Sequence, residues 1–271
     1  MMNNPTFSEP TDDIDSNKRR LADLLSARSK HSIYQELHPW AQSILGPQYS
    51  PTGKRETLRW NYMTSHIELT GKSLLDIGAN TGFFCLAALE QGAQEVHAFE
   101  GNPAHAEFIR EIAALLGLSD CLTVYNSYFD FERQTVPEIN ITLCLNVLHH
   151  LGDDFGSQST TLATAKQQMG EILRQLAKQT QYCWFQIGFN WKGDRNQPLF
   201  PNGRKAEIIE FVRDTCHNTW VIEDIAIYEP AAACYKPVCD ALLQRFDVVG
   251  EFLNRPLFFL KSSTQQSFDA A

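Results

Sequence analysis

The chain has 271 residues, enough for one large domain or for one domain with a small cap. Hydrophobic residues make up 43% and charged residues 20% of it, the composition of an ordinary soluble globular protein. The formal net charge of -9 argues against a large nucleic-acid-binding surface, because such surfaces depend on clustered Lys and Arg.

Cysteine usage and hydropathy bear on the cellular compartment. The 7 cysteines include no Cys-x-x-Cys pair and lie mostly in apolar runs, which predicts buried, reduced thiols in a cytoplasmic protein. The polar start of the chain lacks the basic and apolar regions of a secretory signal, and no apolar run reaches the length of a membrane span.

The N-terminal quarter of the chain is predicted to lie outside the central sheet. Residues 1–17 are polar and are expected to form a disordered tail. Residues 18–70 carry apolar side chains at helical spacing and are expected to form a helical cap or lid. Residues 263–271 are polar again and are expected to be a second disordered tail.

Strand and helix patterns alternate between residues 71 and 262. The predicted strands cover residues 73–77, 95–100, 122–125, 141–145, 182–188 and 220–228. This alternation predicts a doubly wound, mostly parallel α/β sheet with right-handed crossovers. Two irregular inserts, near 189–203 and 229–238, are assigned to the substrate side, and residues 247–250 and 257–261 are expected to form an antiparallel edge hairpin.

The first strand leads into a glycine turn that is typical of nucleotide-like cofactor sites. Asp76 lies near the end of the strand, and Gly78 and Gly82 lie in the turn that precedes an apolar helix. A dinucleotide site needs G-x-G-x-x-G, but Asn80 and Phe83 occupy the positions of the second and third glycines. No Gly-Lys-Ser/Thr follows, so a P-loop is excluded as well. The turn therefore favours an adenosyl ligand with an amino-acid tail and no phosphates.

The second strand ends at Glu100, whose carboxylate can accept hydrogen bonds from both ribose hydroxyls. Together, the two strand ends resemble those of the class I S-adenosylmethionine-dependent methyltransferases. The resemblance implies a Rossmann-like methyltransferase fold with seven strands, methyltransferase activity, and S-adenosyl-L-methionine as the cofactor. The residues expected to contact the cofactor are Asp76, Gly78, Ala79, Asn80, Gly82, Glu100, Gly101, Asn102, Asn126, Ser127, Tyr128, Asn146 and Val147.

Two histidines follow the fourth strand, where this family presents residues to the transferred methyl group. Methyl transfer from a sulfonium is an in-line displacement, and a base assists when the acceptor is a hydroxyl. Adjacent residues point in different directions, so one of His149 and His150 is expected to be the general base, and His149 is preferred. Asp153 and Asp154 leave a metal-assisted transfer open, but their spacing matches no established metal motif and no metal is expected.

Candidates for acceptor binding flank the core on both sides. Members of this family commonly place an element over the cofactor just before the first strand, and basic side chains there suit a carboxylate or a phosphate. The candidates are Arg59 and Tyr62, with Lys54 and Arg55, before the first strand, and Asn190, Trp191 and Lys192 after the fifth strand. In the alternative interpretation, the rings cover the core and the charges face solvent.

The leading hypothesis is methylation of an oxygen atom of a small molecule or a glycan, because two inserts favour a lidded pocket. One alternative is a methyl- or carboxymethyltransferase that modifies tRNA or another nucleic acid. Arg59-Trp60 and the segment from Asn146 to His150 resemble the bacterial enzymes that carboxymethylate wobble uridine in tRNA, whereas the acidic composition argues against this partner. Another alternative is a non-catalytic adenosylmethionine-binding module. The oligomeric state stays open.

Overall fold

A computed structural model describes the protein over most of its length. The described ranges are residues 11–27, 35–49, 55–133, 136–245 and 250–264. Outside them lie residues 1–10 and 265–271 of the two predicted tails, Lys54, and residues 247–249 of the predicted hairpin. Within the described ranges, no helix combines the length and the apolar composition that crossing a membrane requires.

Helices and strands alternate through the core as the sequence predicts. The helices are α1 (Thr11–Ser26), α2 (Pro39–Leu45), α3 (Glu56–Thr64), α4 (Phe83–Glu90), α5 (Pro103–Leu115), α6 (Leu162–Leu176), α7 (Lys205–Cys216), α8 (Asp240–Gln244) and α9 (Glu251–Asn254). The strands are β1 (Ser73–Ile77), β2 (Glu95–Phe99), β3 (Leu122–Tyr125), β4 (Ile139–Leu145), β5 (Thr180–Gln186), β6 (Trp220–Glu229), β7 (Cys234–Pro237) and β8 (Leu257–Ser262).

One mixed sheet holds these strands in the order β3-β2-β1-β4-β5-β8-β6-β7. The pairs from β3 to β5 are parallel, and β8 is antiparallel to both β5 and β6. The strand order reverses between β1 and β4, which creates the switch point at which ligands of open α/β sheets bind. The predicted doubly wound, Rossmann-like methyltransferase fold is confirmed.

Two details of the predicted sheet are wrong. The sheet has eight strands and not seven, because the predicted irregular insert 229–238 contains β7, which pairs with β6 as a hairpin. Residues 257–262 form no edge hairpin but the interior strand β8. Leu257, Phe258 and Leu260 are fully buried, since an interior strand is covered on both faces.

The apolar core lies in two layers, one on each face of the sheet. Leu74 of β1 belongs to the layer that contains α4 and α5, while its neighbour Leu75 belongs to the layer that contains α6 and α7. This division follows from the strand geometry, in which successive side chains point to opposite faces. The helices thus shield the sheet and leave its carboxyl edge accessible.

The N-terminal helices pack on the first of these layers. In α1, Leu21 is buried and Arg20 forms ion pairs with Glu107 and Glu111 of α5. The helix begins at Thr11, inside the segment predicted to be a disordered tail, because contacts with α5 stabilise a sequence whose composition alone indicates disorder. Beyond α1, Gln35 Oε1 accepts hydrogen bonds from Thr81 and from the backbone of Phe83, at the turn that follows β1.

Replacing Phe258 with Ala is expected to lower the free energy of unfolding by about 3–5 kcal/mol, because it removes a buried ring from an interior strand. Val221→Ala on the adjacent β6 is the control, since Val221 is 49% exposed and its loss is expected to cost about 0.5 kcal/mol or less. Urea unfolding followed by circular dichroism measures both. A loss below about 1 kcal/mol for Phe258→Ala would contradict the interior position of β8.

Candidate active site

A cleft opens at the carboxyl edge of the sheet, at the switch point between β1 and β4. It encloses about 640 Å³, part of it open to solvent. Its lining consists of Ile77, Gly78, Asn80, Phe99, Glu100, Gly101, Ser127, Tyr128, Phe129, Phe131, Leu145, Asn146, Val147, His150, Asp154 and Phe155. Most of the predicted cofactor residues are therefore brought together.

The remaining predicted cofactor residues are not part of this lining. They are Asp76, Ala79, Gly82, Asn102 and Asn126. The side chain of Asn102 caps α5 by accepting from the backbone N–H of Ala104 at 3.0 Å, as the Asn-Pro sequence predicts. The side chain of Asn126 donates to the backbone carbonyl of Glu100 at 3.1 Å and so fixes the end of β2.

The turn after β1 needs glycine at two positions for different contacts. Gly78 and Gly82 both have left-handed backbone angles, with φ of 80° and 78°. A Cβ atom on Gly78 would lie 3.0 Å from the side chain of Val147, and one on Gly82 would lie 3.0 Å from Ile109 of α5. Both glycines are thus needed for close packing of the loop as well as for its backbone conformation.

Backbone amides hold both carboxylate oxygens of Glu100. Its Oε2 accepts from the backbone N–H of Asn80 at 2.7 Å, and its Oε1 accepts from the backbone N–H of Asn102 at 2.7 Å. Each carboxylate oxygen can accept a second bond. The carboxylate is therefore fixed in orientation and still offers acceptors to a diol in the cleft.

Asp76 lies beneath the turn and does not line the cleft. It is 2% exposed, and its Oδ2 accepts a weak hydrogen bond from the thiol of Cys85 at 3.5 Å. Burial, with a smaller effect of the nearby Glu100 charge, raises the pKa of Asp76 to about 7. Asp76 supports the loop from the core side. Any effect of Asp76 on the cofactor is therefore transmitted through the loop.

Aromatic side chains that sequence analysis missed form much of the cleft. Phe129 and Phe131 follow β3 and are buried, and Phe155 lies against the ring of Phe131. The predicted Tyr128 is 49% exposed and covers Gly101, where a Cβ atom would lie 2.4 Å from its ring. The alternation of Phe129 and Phe131 after a strand was the available signal. These rings suit a purine face.

The charges around the cleft are acidic. Its lining, as far as the chain is described, includes the carboxylates of Glu100 and Asp154 and no Lys or Arg side chain. A dinucleotide would bring a doubly negative pyrophosphate into this field, whereas S-adenosylmethionine carries a sulfonium and an ammonium group. The negative charges of the lining therefore favour a ligand that carries an adenosyl sulfonium and disfavour a phosphorylated one.

The two histidines after β4 have opposite environments. His150 lines the cleft, and its Nδ1 lies 3.4 Å from Asp154 Oδ2. His149 is 2% exposed, and its Nδ1 accepts from the backbone N–H of Gly188 at 3.3 Å. The preferred candidate His149 therefore does not line the cleft, because the short helical turn at 148–150 directs it into the core, and His150 is the histidine of the pair that faces the cleft.

His150, Asp153 and Asp154 also form the group that the sequence left open as a metal site. One potential ligand atom from each residue lies within 4.8 Å of the others. The same three residues are also compatible with an imidazole that a carboxylate orients. The described side chains do not distinguish a metal site from this arrangement. We assign no metal to it.

Neither predicted acceptor-binding residue of α3 reaches the cleft lining. Arg59 is 2% exposed, and its guanidinium carbon lies 4.9 Å from the ring centroid of Phe252. Its Nε and Nη2 have no hydrogen-bond partner within the described ranges. The hydroxyl of Tyr62 donates to Asp224 of β6. Tyr62 thus connects α3 to the sheet, and Arg59 is a buried cation whose Nη2 lies 3.9 Å from the buried carboxylate of Glu56.

The three residues after β5 that were predicted to bind the acceptor lie in three different environments. Trp191 is buried, and its indole N–H donates to the carbonyl of Leu151 at 2.7 Å. The ammonium of Lys192 lies 4.2 Å from the Trp191 ring centroid. Asn190 lines a second cleft, formed by the segment after β5 together with α7, α8 and α9. The alternative interpretation, in which aromatic rings cover the core, holds for Trp191.

Arg255 is a residue near the site that sequence analysis missed. Its Nη1 donates to Asn146 Oδ1 at 2.8 Å, and the amide of Asn146 donates in turn to Gln186 Oε1 at 3.0 Å. Asn146 has a left-handed φ of 64°, which is uncommon for a residue other than glycine. These bonds hold Asn146 in that conformation at the edge of the cleft.

Comparisons with known proteins agree with this geometry. No family model matches the chain. A tRNA U34 carboxymethyltransferase of Nautilia profundicola is 26% identical over 151 residues, which are 52% of this chain and 45% of that protein. An arginine N(omega)-methyltransferase of Streptomyces achromogenes subsp. streptozoticus is 41% identical over 107 residues, which are 34% of this chain and 30% of that protein. The chain thus spans less than half the length of these relatives.

Among solved structures, the bifunctional kinase-methyltransferase WbdD matches with a TM-score of 0.55 and 15% identity, over 89% of this chain and 46% of that chain. At this identity the match concerns the fold alone. Sheet order and glycine turn together define a Rossmann-like methyltransferase fold. With the named methyltransferase relatives, they agree with the class I S-adenosylmethionine-dependent methyltransferase family, whose methyl donor is S-adenosyl-L-methionine.

The buried Asp76 predicts a pH dependence of stability. Its pKa is raised on folding, from 3.8 to about 7, so the native state binds the proton more tightly and stability falls as the pH rises through this window. Asp76→Asn cannot lose a proton at this position, so its stability does not fall in this window. The difference in unfolding free energy between Asp76→Asn and the wild type is therefore expected to rise by up to about 4 kcal/mol between about pH 4 and about pH 8. Urea unfolding at several pH values measures it, with the exposed Asp120→Asn as control. Parallel pH curves would contradict the prediction.

Glu100→Ala is expected to weaken binding of S-adenosylhomocysteine by about 2–4 kcal/mol, because charge-assisted hydrogen bonds to the ribose are lost together with the carboxylate that orients the backbone of Asn80 and Asn102. Titration calorimetry measures the affinity. Glu68→Ala, at an exposed position outside the cleft, is the matched control and is expected to leave the affinity unchanged. Equal affinities of Glu100→Ala and the wild type would refute the ribose contact.

Proposed function

We propose that the protein is a methyltransferase that transfers the methyl group of S-adenosyl-L-methionine to an oxygen atom of its acceptor. The observation that carries the proposal is the charge of the cleft, where two carboxylates and no described Lys or Arg line a site at the switch point. This field favours a cationic sulfonium and opposes dinucleotides. The cofactor, when bound, supplies an electrophilic methyl group.

The residues of the chain have distinct roles in this proposal. Glu100 accepts from the ribose hydroxyls with a carboxylate that two backbone amides already orient. Tyr128 and the phenylalanine rings after β3 enclose the adenine and exclude water. His150 takes the proton of the acceptor hydroxyl at Nε2, since Asp154 lies on the side of Nδ1 and favours a proton there.

A second candidate is transfer of a carboxymethyl group to tRNA. It is favoured by the relatives named tRNA U34 carboxymethyltransferase and by Arg255, a buried cation that contacts a residue of the cleft lining. The guanidinium carbons of Arg59 and Arg255 lie 4.9 Å and 5.2 Å from the ring centroid of Phe252, and Arg255 contacts Asn146 of the cleft. A transferable group that carries a carboxylate would find charge-assisted partners there.

The two candidates differ in the donor they bind best. Calorimetry with S-adenosylmethionine and with the analogous sulfonium whose methyl group carries a carboxylate separates them. Tighter binding of the carboxylated donor, lost in Arg59→Met, supports carboxymethyl transfer. Equal or weaker binding supports methyl transfer. The acceptor is tested by release of S-adenosylhomocysteine from S-adenosylmethionine in the presence of hydroxylated small molecules, glycans or total tRNA.

His150→Ala is expected to lower turnover about 100-fold or more while the affinity for S-adenosylhomocysteine stays nearly unchanged, because the variant loses the proton acceptor and keeps the ribose site. His217→Ala, at an exposed position after α7, is the matched control. Single-turnover assays and calorimetry provide the two readouts. Normal turnover of His150→Ala would eliminate this residue as the base.

A further inference from the structure

Helix α4, which follows the glycine turn, begins without a capping side chain of its own. Its N-cap residue is Gly82, which has a left-handed φ of 78° and offers no side-chain acceptor. The first amide of α4, that of Phe83, therefore needs an acceptor from another part of the chain, because the amides of a first helical turn have no partner within the helix. A capping residue in place of Gly82 is disfavoured by the backbone conformation and by Ile109, which a Cβ atom would approach to 3.0 Å.

Gln35 of the N-terminal region supplies this acceptor. Its Oε1 accepts from the backbone N–H of Phe83 at 3.4 Å and from the hydroxyl of Thr81 at 3.3 Å. Gln35 is 5% exposed, so these bonds are shielded from water, and their loss would leave buried donors without an acceptor. A side chain 48 positions upstream of Phe83 thus does the work of an N-cap residue for α4.

Neighbouring contacts fix the segment that carries Gln35. The carboxylate of Glu36 accepts from the backbone N–H and from the hydroxyl of Thr57, at the start of α3, at 3.0 Å and 2.6 Å. The Nε2 atom of His38 lies 3.3 Å from the carboxylate of Glu90, the last residue of α4. The segment is consequently attached to α3 and to both ends of α4, which fixes the position of Gln35.

The turn that Gln35 contacts faces one particular part of the donor. In the proposed function, the rings after β3 enclose the adenine, and Glu100 after β2 accepts from the ribose. Because β1 is the next strand of the sheet, the turn after β1 meets the amino-acid tail that extends from the ribose. Gly78 and Asn80 of this turn line the cleft, and Glu100 accepts from the backbone of Asn80 at 2.7 Å. The turn is thus held by Glu100 on one side and by Gln35 on the other.

We propose that Gln35 is a positioning residue of the donor site, which caps α4 and thereby holds the glycine turn in the conformation that receives the amino-acid tail of S-adenosylmethionine. The inference rests on the proposed function and adds the N-terminal region to its donor site. Gln35 is not part of the cleft lining and acts through Thr81 and Phe83. Its contribution therefore concerns the tail, whereas the adenine and ribose contacts come from other elements.

Calorimetry with two adenosyl ligands tests the inference on the full chain. S-adenosylhomocysteine carries the amino-acid tail, whereas methylthioadenosine shares the adenine, the ribose and the thioether and lacks the tail. Gln35→Met keeps the length of the side chain and removes the acceptor. It is expected to weaken binding of S-adenosylhomocysteine about three- to tenfold and binding of methylthioadenosine less than about twofold. Gln48→Met, at an exposed position of the same region, is the matched control and is expected to bind both ligands as the wild type does.

A double-mutant cycle connects this effect to the hydrogen bond. Thr81→Val removes the hydroxyl that donates to Gln35 and keeps the shape of the side chain. It is expected to weaken binding of S-adenosylhomocysteine about two- to fivefold in the wild type and to cause no further loss in Gln35→Met. Urea unfolding shows whether each variant is folded. If Gln35→Met is unfolded, the loss in Thr81→Val alone decides, and an affinity equal to that of the wild type overturns the inference.

The remaining outcomes separate the inference from the proposed function. Equal affinities of Gln35→Met and the control for S-adenosylhomocysteine overturn the inference alone. Equal losses for both ligands also overturn it, because they indicate general damage to the cleft, and so does a Thr81→Val effect that persists in Gln35→Met. Absence of S-adenosylhomocysteine binding to the wild type overturns the proposed function instead.

Discussion

The two backbone hydrogen bonds to the carboxylate of Glu100 are the constraint on which the cofactor cleft depends. They join the turn after β1, through Asn80, and the start of α5, through Asn102, to the end of β2. A carboxylate has room for further bonds, so the group that assembles the cleft also presents acceptors to its ligand. Assembly and recognition therefore depend on one side chain, and the surrounding glycines allow the loop to approach it.

The sequence predicted the parts of the site that depend on local structure. The bounds of β1 and β3 were right because buried parallel strands appear as short apolar runs between turn residues. The glycine turn and Glu100 were recognised because each directly follows such a strand, and Asn102 because Asn-Pro is a local helix-start signal. Strands fix the position of the residues that follow them.

Other parts depend on partners that are distant in the chain. The conformation of Asn146 involves Arg255, 109 residues away, and Arg59 meets Phe252 of the C-terminal region. The choice between His149 and His150 depends on one short helical turn whose orientation no periodicity encodes. The apolar run of β8 gave no sign of whether it pairs at an edge or in the interior. In each case tertiary contacts overrode or supplemented the local pattern.

The interior place of β8 also has a consequence for the order in which the protein is made. Strand β6 leaves the ribosome before β8, yet it joins the sheet only through β8, which separates it from β5. The edges of β5 and β6 that pair with β8 consequently stay unpaired until residue 262 has been synthesised. Until then the nascent chain exposes unpaired strand edges, which can pair with other chains.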